Sequence, residues 1–143
     1  MQRRTLFQTL LAATLAGLAA PSAAAEEARA TRVVYHISSA NKVAFALGNM
    51  RNHRAGGPAG LKLAAVVHGP AVGLLRADTN DEKLKRAFAA ALKDGDAFFA
   101  CANTLKALSW TLDDLLPGFS LAEKGGVVKL ADLQAQGWIY LRP

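Results

Sequence analysis

Short apolar runs alternate along this chain with segments of helical periodicity, and that order leaves few folds open. Residues 32–37, Arg-Val-Val-Tyr-His-Ile, are rich in β-branched and aromatic side chains and read as a strand. Val43, Ala46, Leu47 and Met50 then recur at helical spacing, with Asn41 expected as N-cap and Gly56-Gly57-Pro58 as the stop. Residues 61–67 are almost wholly apolar apart from Lys62, the signature of a central strand buried on both faces. A loop is expected over 71–80. Thr79-x-x-Glu82 has the form of a capping box, and Leu84, Ala87, Phe88, Ala91 and Leu92 mark the face of the helix behind it. Residues 97–101 form a third apolar strand. Leu105, Leu108, Leu112 and Leu115 continue at helical spacing, with a break near Thr111. Residues 119–128 are expected to form a short strand with a turn at Gly125-Gly126, residues 130–136 a short helix, and residues 138–141 a last strand.

Strands separated by helices pair in parallel through crossover connections. The reading is therefore a single α/β domain, with a parallel sheet of about five strands and helices on both faces, flavodoxin-like in kind.

Residues 1–25 are read apart from the fold. Arg3 and Arg4 precede an apolar run over 6–20, and Ala23-Ala24-Ala25 offers a small-residue cleavage site. That is the order of a signal peptide, with a run too short for a stable span. The paired arginines before Thr5-Leu6-Phe7 resemble a twin-arginine signal, with ordinary secretion as the alternative. Either route predicts an exported, periplasmic protein with no stable membrane insertion after cleavage. Cleavage after Ala25 leaves 118 of the 143 residues, enough for one packed core. The whole chain has 17 basic and 11 acidic side chains. Its basic residues are scattered rather than gathered into a stripe, which argues against a nucleic-acid partner.

In an open parallel sheet, ligands bind beyond the carboxyl ends of the strands. The three clearest strands end near His36, at His68-Gly69 and at Cys101, so two of the three histidines and the single cysteine share one edge. Cys101 also precedes a helix, whose free N–H groups favour thiolate over thiol. Asn103 and Thr104 lie in that helix's first turn and can donate to the sulfur or to a bound anion. Against activation, Phe98, Phe99 and Ala100 are apolar, and burial raises a thiol's pKa. His68 is read either as a proton partner or as a loop-edge histidine bonded to backbone. His36 is read as a satisfied core residue, and His53 as a helix-end residue. Asn49 and Asn52 near it are either polar site residues or surface.

Other chemistries lack their residues. The glycines near His68 do not form G-x-G-x-x-G or a P-loop. One cysteine excludes a C-x-x-C dithiol cycle and any intrachain disulfide. Asp113 and Asp114 are adjacent, so they point different ways on a helix. Metal binding through His36, His68 and Cys101 is the weakest reading, because sharing a sheet edge is not ligand geometry. No resident cofactor or metal is expected.

Residues 99–105, Phe-Ala-Cys-Ala-Asn-Thr-Leu, then Leu115-Leu116-Pro117-Gly118, Gly126-Val127-Val128 and residues 133–140 resemble the DsrE/DsrF-like family, especially its small exported members. Val33-Val34-Tyr35-His36-Ile37, Asn52-His53 and Val67-His68-Gly69 fit as well. The resemblance covers nearly all of residues 26–143. It implies a parallel α/β sheet, homo- or hetero-oligomers such as trimers or hexamers, and a strand-end cysteine. In sulfur-relay members that cysteine carries a persulfide, and Cys101 matches its position. The relay proteins act between cytoplasmic partners, whereas this chain carries an export signal, so a different sulfur donor and acceptor are implied. The alternative is a non-catalytic ligand-binding or assembly module with an inert Cys101.

Overall fold

The computed structural model describes residues 30–143, and the expected signal sequence lies outside them. Five strands, β1 (Arg32–Ile37), β2 (Lys62–Val67), β3 (Ala97–Cys101), β4 (Phe119–Ala122) and β5 (Ile139–Leu141), form one sheet in the order β4-β3-β2-β1-β5. Every pairing is parallel, so each connection must cross the sheet. Four α-helices make these crossings: α1 (Val43–Gly56), α2 (Glu82–Lys93), α3 (Ala102–Leu108) and α4 (Gly126–Ala135). The first three connections step in one direction, from β1 out to β4. The fourth carries the chain back across the sheet to place β5 beside β1.

That reversal divides the helices between two faces. Val33, Tyr35 and Ile37 of β1, Leu63, Ala65 and Val67 of β2, and Phe98 and Ala100 of β3 pack against α1, α2 and α3. Phe88 of α2 lies 4.5 Å from Phe98 and 5.0 Å from Phe119, centroid to centroid, and anchors this face. The alternate residues Val34, Ala64, Val66 and Phe99 meet α4 through Leu130 and Leu133. Period-two alternation along a strand explains why one sequence supplies both cores.

Local detail departs from the sequence reading in four places. Helix α4 begins at Gly126, not residue 130. Val127 and Val128 suggested a strand, but they lie on the exposed side of the helix's first two turns, where packing does not test β propensity. Asp81, not Thr79, caps α2, accepting from Leu84 N–H at 2.9 Å. Asn41 lies inside a 3-10 turn, Ala40–Lys42, that precedes α1. The expected loop after β2 is largely a second such turn, Gly69–Leu75, with Ala71, Val72 and Leu75 buried. The break near Thr111 is present: Thr111 and Asp114 close a capping box over Leu112–Asp114. Among the described residues, no helix is long and apolar enough to cross a membrane.

The amino edge of the sheet is fixed by charge. Asp96, buried just before β3, pairs with Arg54 near the end of α1, which also donates to the Leu61 carbonyl at 3.1 Å. Burial nevertheless holds the Asp96 carboxyl above its ordinary range. His53 sits nearby, its Nδ1 2.9 Å from the Tyr35 hydroxyl. Because α1 runs antiparallel to the strands, Asn49, Asn52 and His53 lie toward this edge, away from the carboxyl ends.

A thiol cradle at the carboxyl edge

Cys101 is the last residue of β3 and the N-cap of α3. It points to the α4 side of the sheet, as the alternation from Phe99 requires. The loop after β4 then delivers the first turn of α4 onto the sulfur: Gly126 N–H donates to Cys101 Sγ at 3.1 Å. The Thr104 and Asn103 backbone N–H groups and the Thr104 hydroxyl lie near the sulfur and favour its thiolate, without bonding it directly. Two helix starts thus aim donors at one sulfur.

Cys101 is 6% exposed. Burial by itself pushes its pKa up, but the donors on Thr104, Gly126 and Asn103 outweigh it, and the thiol lies below its ordinary value. Both arguments made from sequence therefore operate, and the donors prevail. Thr104 is itself held in place, because its Oγ1 accepts from Gly69 N–H at 3.0 Å. That bond ties the end of β2 to the first turn of α3.

Close packing explains the two glycines. A Cβ on Gly126 would stand 3.3 Å from His68 Cβ and 3.4 Å from Cys101 Cβ. Gly125 has φ +101, and a Cβ there would meet Asn103 Nδ2 at 2.7 Å. A side chain at Gly126 would press on both residues, and one at Gly125 would be strained by its positive φ and would displace the end of Asn103.

The histidines are arranged otherwise than expected. His68 is not among the groups that hold the sulfur. Its Nε2 meets His36 Nε2 at 2.5 Å, the two rings stacked with centroids 4.7 Å apart. His36 Nδ1 in turn lies 2.6 Å from the Tyr140 hydroxyl on β5. His68, His36 and Tyr140 thus form one continuous chain of polar contacts, whose donor and acceptor roles follow the tautomers of the two rings. Burial, then the charges of His68 and Arg142, lowers His36 to about 4. Burial and Arg142 lower His68 too, so both rings are neutral at pH 7. Among the described residues, no three His, Cys, Asp or Glu side chains are grouped to hold a metal ion.

The structure therefore brings Cys101, Asn103, Thr104 and Gly69 into one contact network, and His36 with His68 into an adjoining one. Gly126, Tyr140 and Arg142 were not singled out from the sequence. Gly126 read as a turn, and Tyr140 and Arg142 lie more than a hundred positions from their partners on β1. A shallow apolar groove of about 490 Å³ adjoins the cradle, lined by Gly69, Pro70, Asn103, Thr104, Leu108 and Trp110 among others.

Comparison with known proteins gives a family and a fold. The family described as DsrE/DsrF-like matches residues 4–143. A solved protein of unknown function from Methanobacterium thermoautotrophicum is similar, with 31% identity and a TM-score of 0.71, over 79% of this chain and 99% of that one. A second, a conserved protein of unknown function from Bacteroides thetaiotaomicron, has 15% identity and a TM-score of 0.56, over 86% of this chain and 100% of that one, and shares the fold alone. No curated protein matches.

Proposed function

The chain belongs to the DsrE/DsrF-like family, and on that footing we propose that it is an exported sulfur-handling protein whose Cys101 carries sulfane sulfur as a persulfide. The observation that carries this reading is the Gly126 N–H donated to the Cys101 sulfur at 3.1 Å, where the first turn of α4 meets the start of α3. Such a cradle stabilises a thiolate, which is the form that attacks sulfane sulfur. In the transfer, Cys101 thiolate attacks the outer sulfur of a donor persulfide, R–S–SH. A new S–S bond forms, the donor's S–S bond breaks, and its electron pair leaves on the donor thiolate. No outside oxidant is required. Transfer onward to an acceptor thiol is the same step in reverse.

Export to the periplasm follows from the leader reading. Self-association as a trimer or hexamer is supported by exposed apolar side chains at both ends of the sheet, Leu121 on β4 and Ile139 and Leu141 on β5. Fractionation of cells expressing the full chain, and the mass of the exported form, test the first. Light scattering of the purified protein tests the second.

The decisive measurement is the pH dependence of Cys101 alkylation, followed by intact mass after exposure to polysulfide. The reading expects a midpoint below that of a free thiol and a gain of sulfur that Cys101→Ser abolishes. The burial of Cys101 favours one competing reading, an inert thiol in a ligand-binding or assembly module. A slow thiol that gains no sulfur would establish that reading instead.

A further inference from the structure

The thiol and the histidine chain occupy one row across the sheet. In the register of β2 with β3, Val67 stands beside Ala100, and His68 and Cys101 each come next along their strands. Both keep extended backbone, so the alternation of the strands carries on and both side chains rise on the α4 side. The first turn of α4 meets them together: a Cβ on Gly126 would stand 3.3 Å from His68 Cβ and 3.4 Å from Cys101 Cβ. Beyond His68 the row continues through both nitrogens of His36 to the Tyr140 hydroxyl. It starts at a thiol that is 6% exposed and ends at a tyrosine that is 36% exposed. Such a row can move a proton without charging either ring. When His36 Nδ1 accepts a proton from Tyr140, its Nε2 gives one to His68 Nε2, and His68 gives one up at Nδ1. That last nitrogen has no hydrogen-bond partner among the described residues. The spacing also suits a leaving group. In a linear displacement at sulfur, the attacking and leaving atoms are two S–S bonds apart, about 4 Å. Neighbouring strands lie about 4.8 Å apart. On one side of Cys101, β4 offers only Ala122, and on the other stands His68.

We propose that His68 Nδ1 protonates the leaving thiolate as Cys101 takes its sulfur, directly or through one water, and that His36 and Tyr140 are positioning residues that pass a proton in from solvent. This rests on the sulfur-handling reading above and names its donor class: persulfides of alkyl thiols, whose basic thiolates leave slowly unless protonated. In the step, Cys101 thiolate attacks the outer sulfur of R–S–SH. The Cys101–sulfur bond forms, the donor's S–S bond breaks, and the electron pair leaves on R–S. The departing sulfur takes the His68 Nδ1 proton. His68 Nε2 takes one from His36, His36 Nδ1 takes one from Tyr140, and Tyr140 takes one from water. The proton that Cys101 lost to water on ionising is thereby returned, and the products are Cys101–S–SH and R–SH. Both histidines are neutral at pH 7, so the row acts as a relay rather than as a store of charge.

The test uses disulfide probes on the full chain, so that it stands apart from sulfur loading, and follows exchange at Cys101 by intact mass. Hydroxyethyl disulfide releases a basic alkyl thiolate, which needs the proton. Dithiobis(nitrobenzoate) releases an acidic aryl thiolate, which does not. His68→Gln should lower the ratio of alkyl to aryl exchange rates about a hundredfold, the lower end for general acid catalysis. Tyr140→Phe keeps the ring and loses only the hydroxyl at the exposed end, and should lower the ratio by less. Equal slowing of both probes in His68→Gln would mark a packing role and overturn the proposal. A ratio unchanged in Tyr140→Phe would overturn the relay. A falling ratio in a protein whose Cys101 gains no sulfur from polysulfide would uphold the proton path and sink the persulfide reading. Sulfur gain with an unchanged ratio would sink the proton path alone.

Discussion

The two faces of the sheet are made by the same three strands and do different work. Toward α1 and α2, β1, β2 and β3 present Val33, Tyr35, Ile37, Leu63, Ala65, Val67, Phe98 and Ala100, a closed apolar surface completed by Phe88. Toward α4 they present Val34, Ala64, Val66 and Phe99, and then at the carboxyl ends His36, His68 and Cys101. The first face is covered by several helices and carries the larger apolar cluster. The second is covered by one helix, and its polar end holds two half-buried histidines and a buried thiol. Alternation along a strand separates stability from chemistry at single-residue resolution: Ala100 and Cys101 are neighbours in sequence and belong to opposite faces.

Substitutions on the two faces should therefore fail in different ways. Phe98→Ala should cost about 3–5 kcal/mol in urea denaturation, because it opens the ring cluster with Phe88 and Phe119. Thiol reactivity per folded molecule should hardly change, and a large change would blur the division between faces. Gly126→Ala acts on the other face. Its Cβ presses on His68 and Cys101, an overpacking that costs about 1–3 kcal/mol, against a helix-propensity gain of up to about 1 kcal/mol. Net destabilisation should be small, but the midpoint of Cys101 alkylation should rise as Gly126 N–H withdraws. Thr104→Val removes the hydroxyl that accepts from Gly69 N–H and that favours the nearby thiolate, at about 1 kcal/mol. It too should raise the alkylation midpoint. The smallest effect is a pH slope. His36 titrates near 4 when folded and near 6.5 when unfolded, so the unfolded chain binds more protons between those values. Stability is whole above pH 6.5 and falls as the pH drops toward 4, by about 1 kcal/mol or less once solvent screening is allowed for. His36→Gln should flatten that slope in denaturation midpoints measured between pH 4.5 and 7.5.

Much of the fold was legible because burial on both faces leaves a plain mark. Residues 61–67 and 97–101 could hardly be anything but central strands, and the Gly56-Gly57-Pro58 stop bounded the first crossing, although both expected N-caps were misplaced. Helix α4 was harder, since Val127 and Val128 carry strand preferences on a surface that does not enforce them. At the site, Cys101, Asn103 and Thr104 were readable because they are contiguous and their geometry is local. Gly69 also reaches the network through Thr104. The edge was correctly placed by the topology, but the division of its members was not. The pairing of His68 with His36, rather than with Cys101, depends on side-chain direction across β1 and β2. Tyr140 and Arg142 join only because β5 returns to β1, and a parallel order read from sequence does not say which edge the last strand takes.

That return also sets an order of assembly. β1 pairs with β2 on one side and β5 on the other, so the first strand to leave the ribosome keeps one edge open until the last has followed. Contacts of such sequence separation form late, because their loop must close before they reward it. The sulfur cradle needs residues only as far as Gly126, whereas Tyr140 and Arg142 arrive with the closing strand. A nascent chain would thus shelter its thiol before its histidine pair gains Tyr140, and the far side of the carboxyl edge would be finished last.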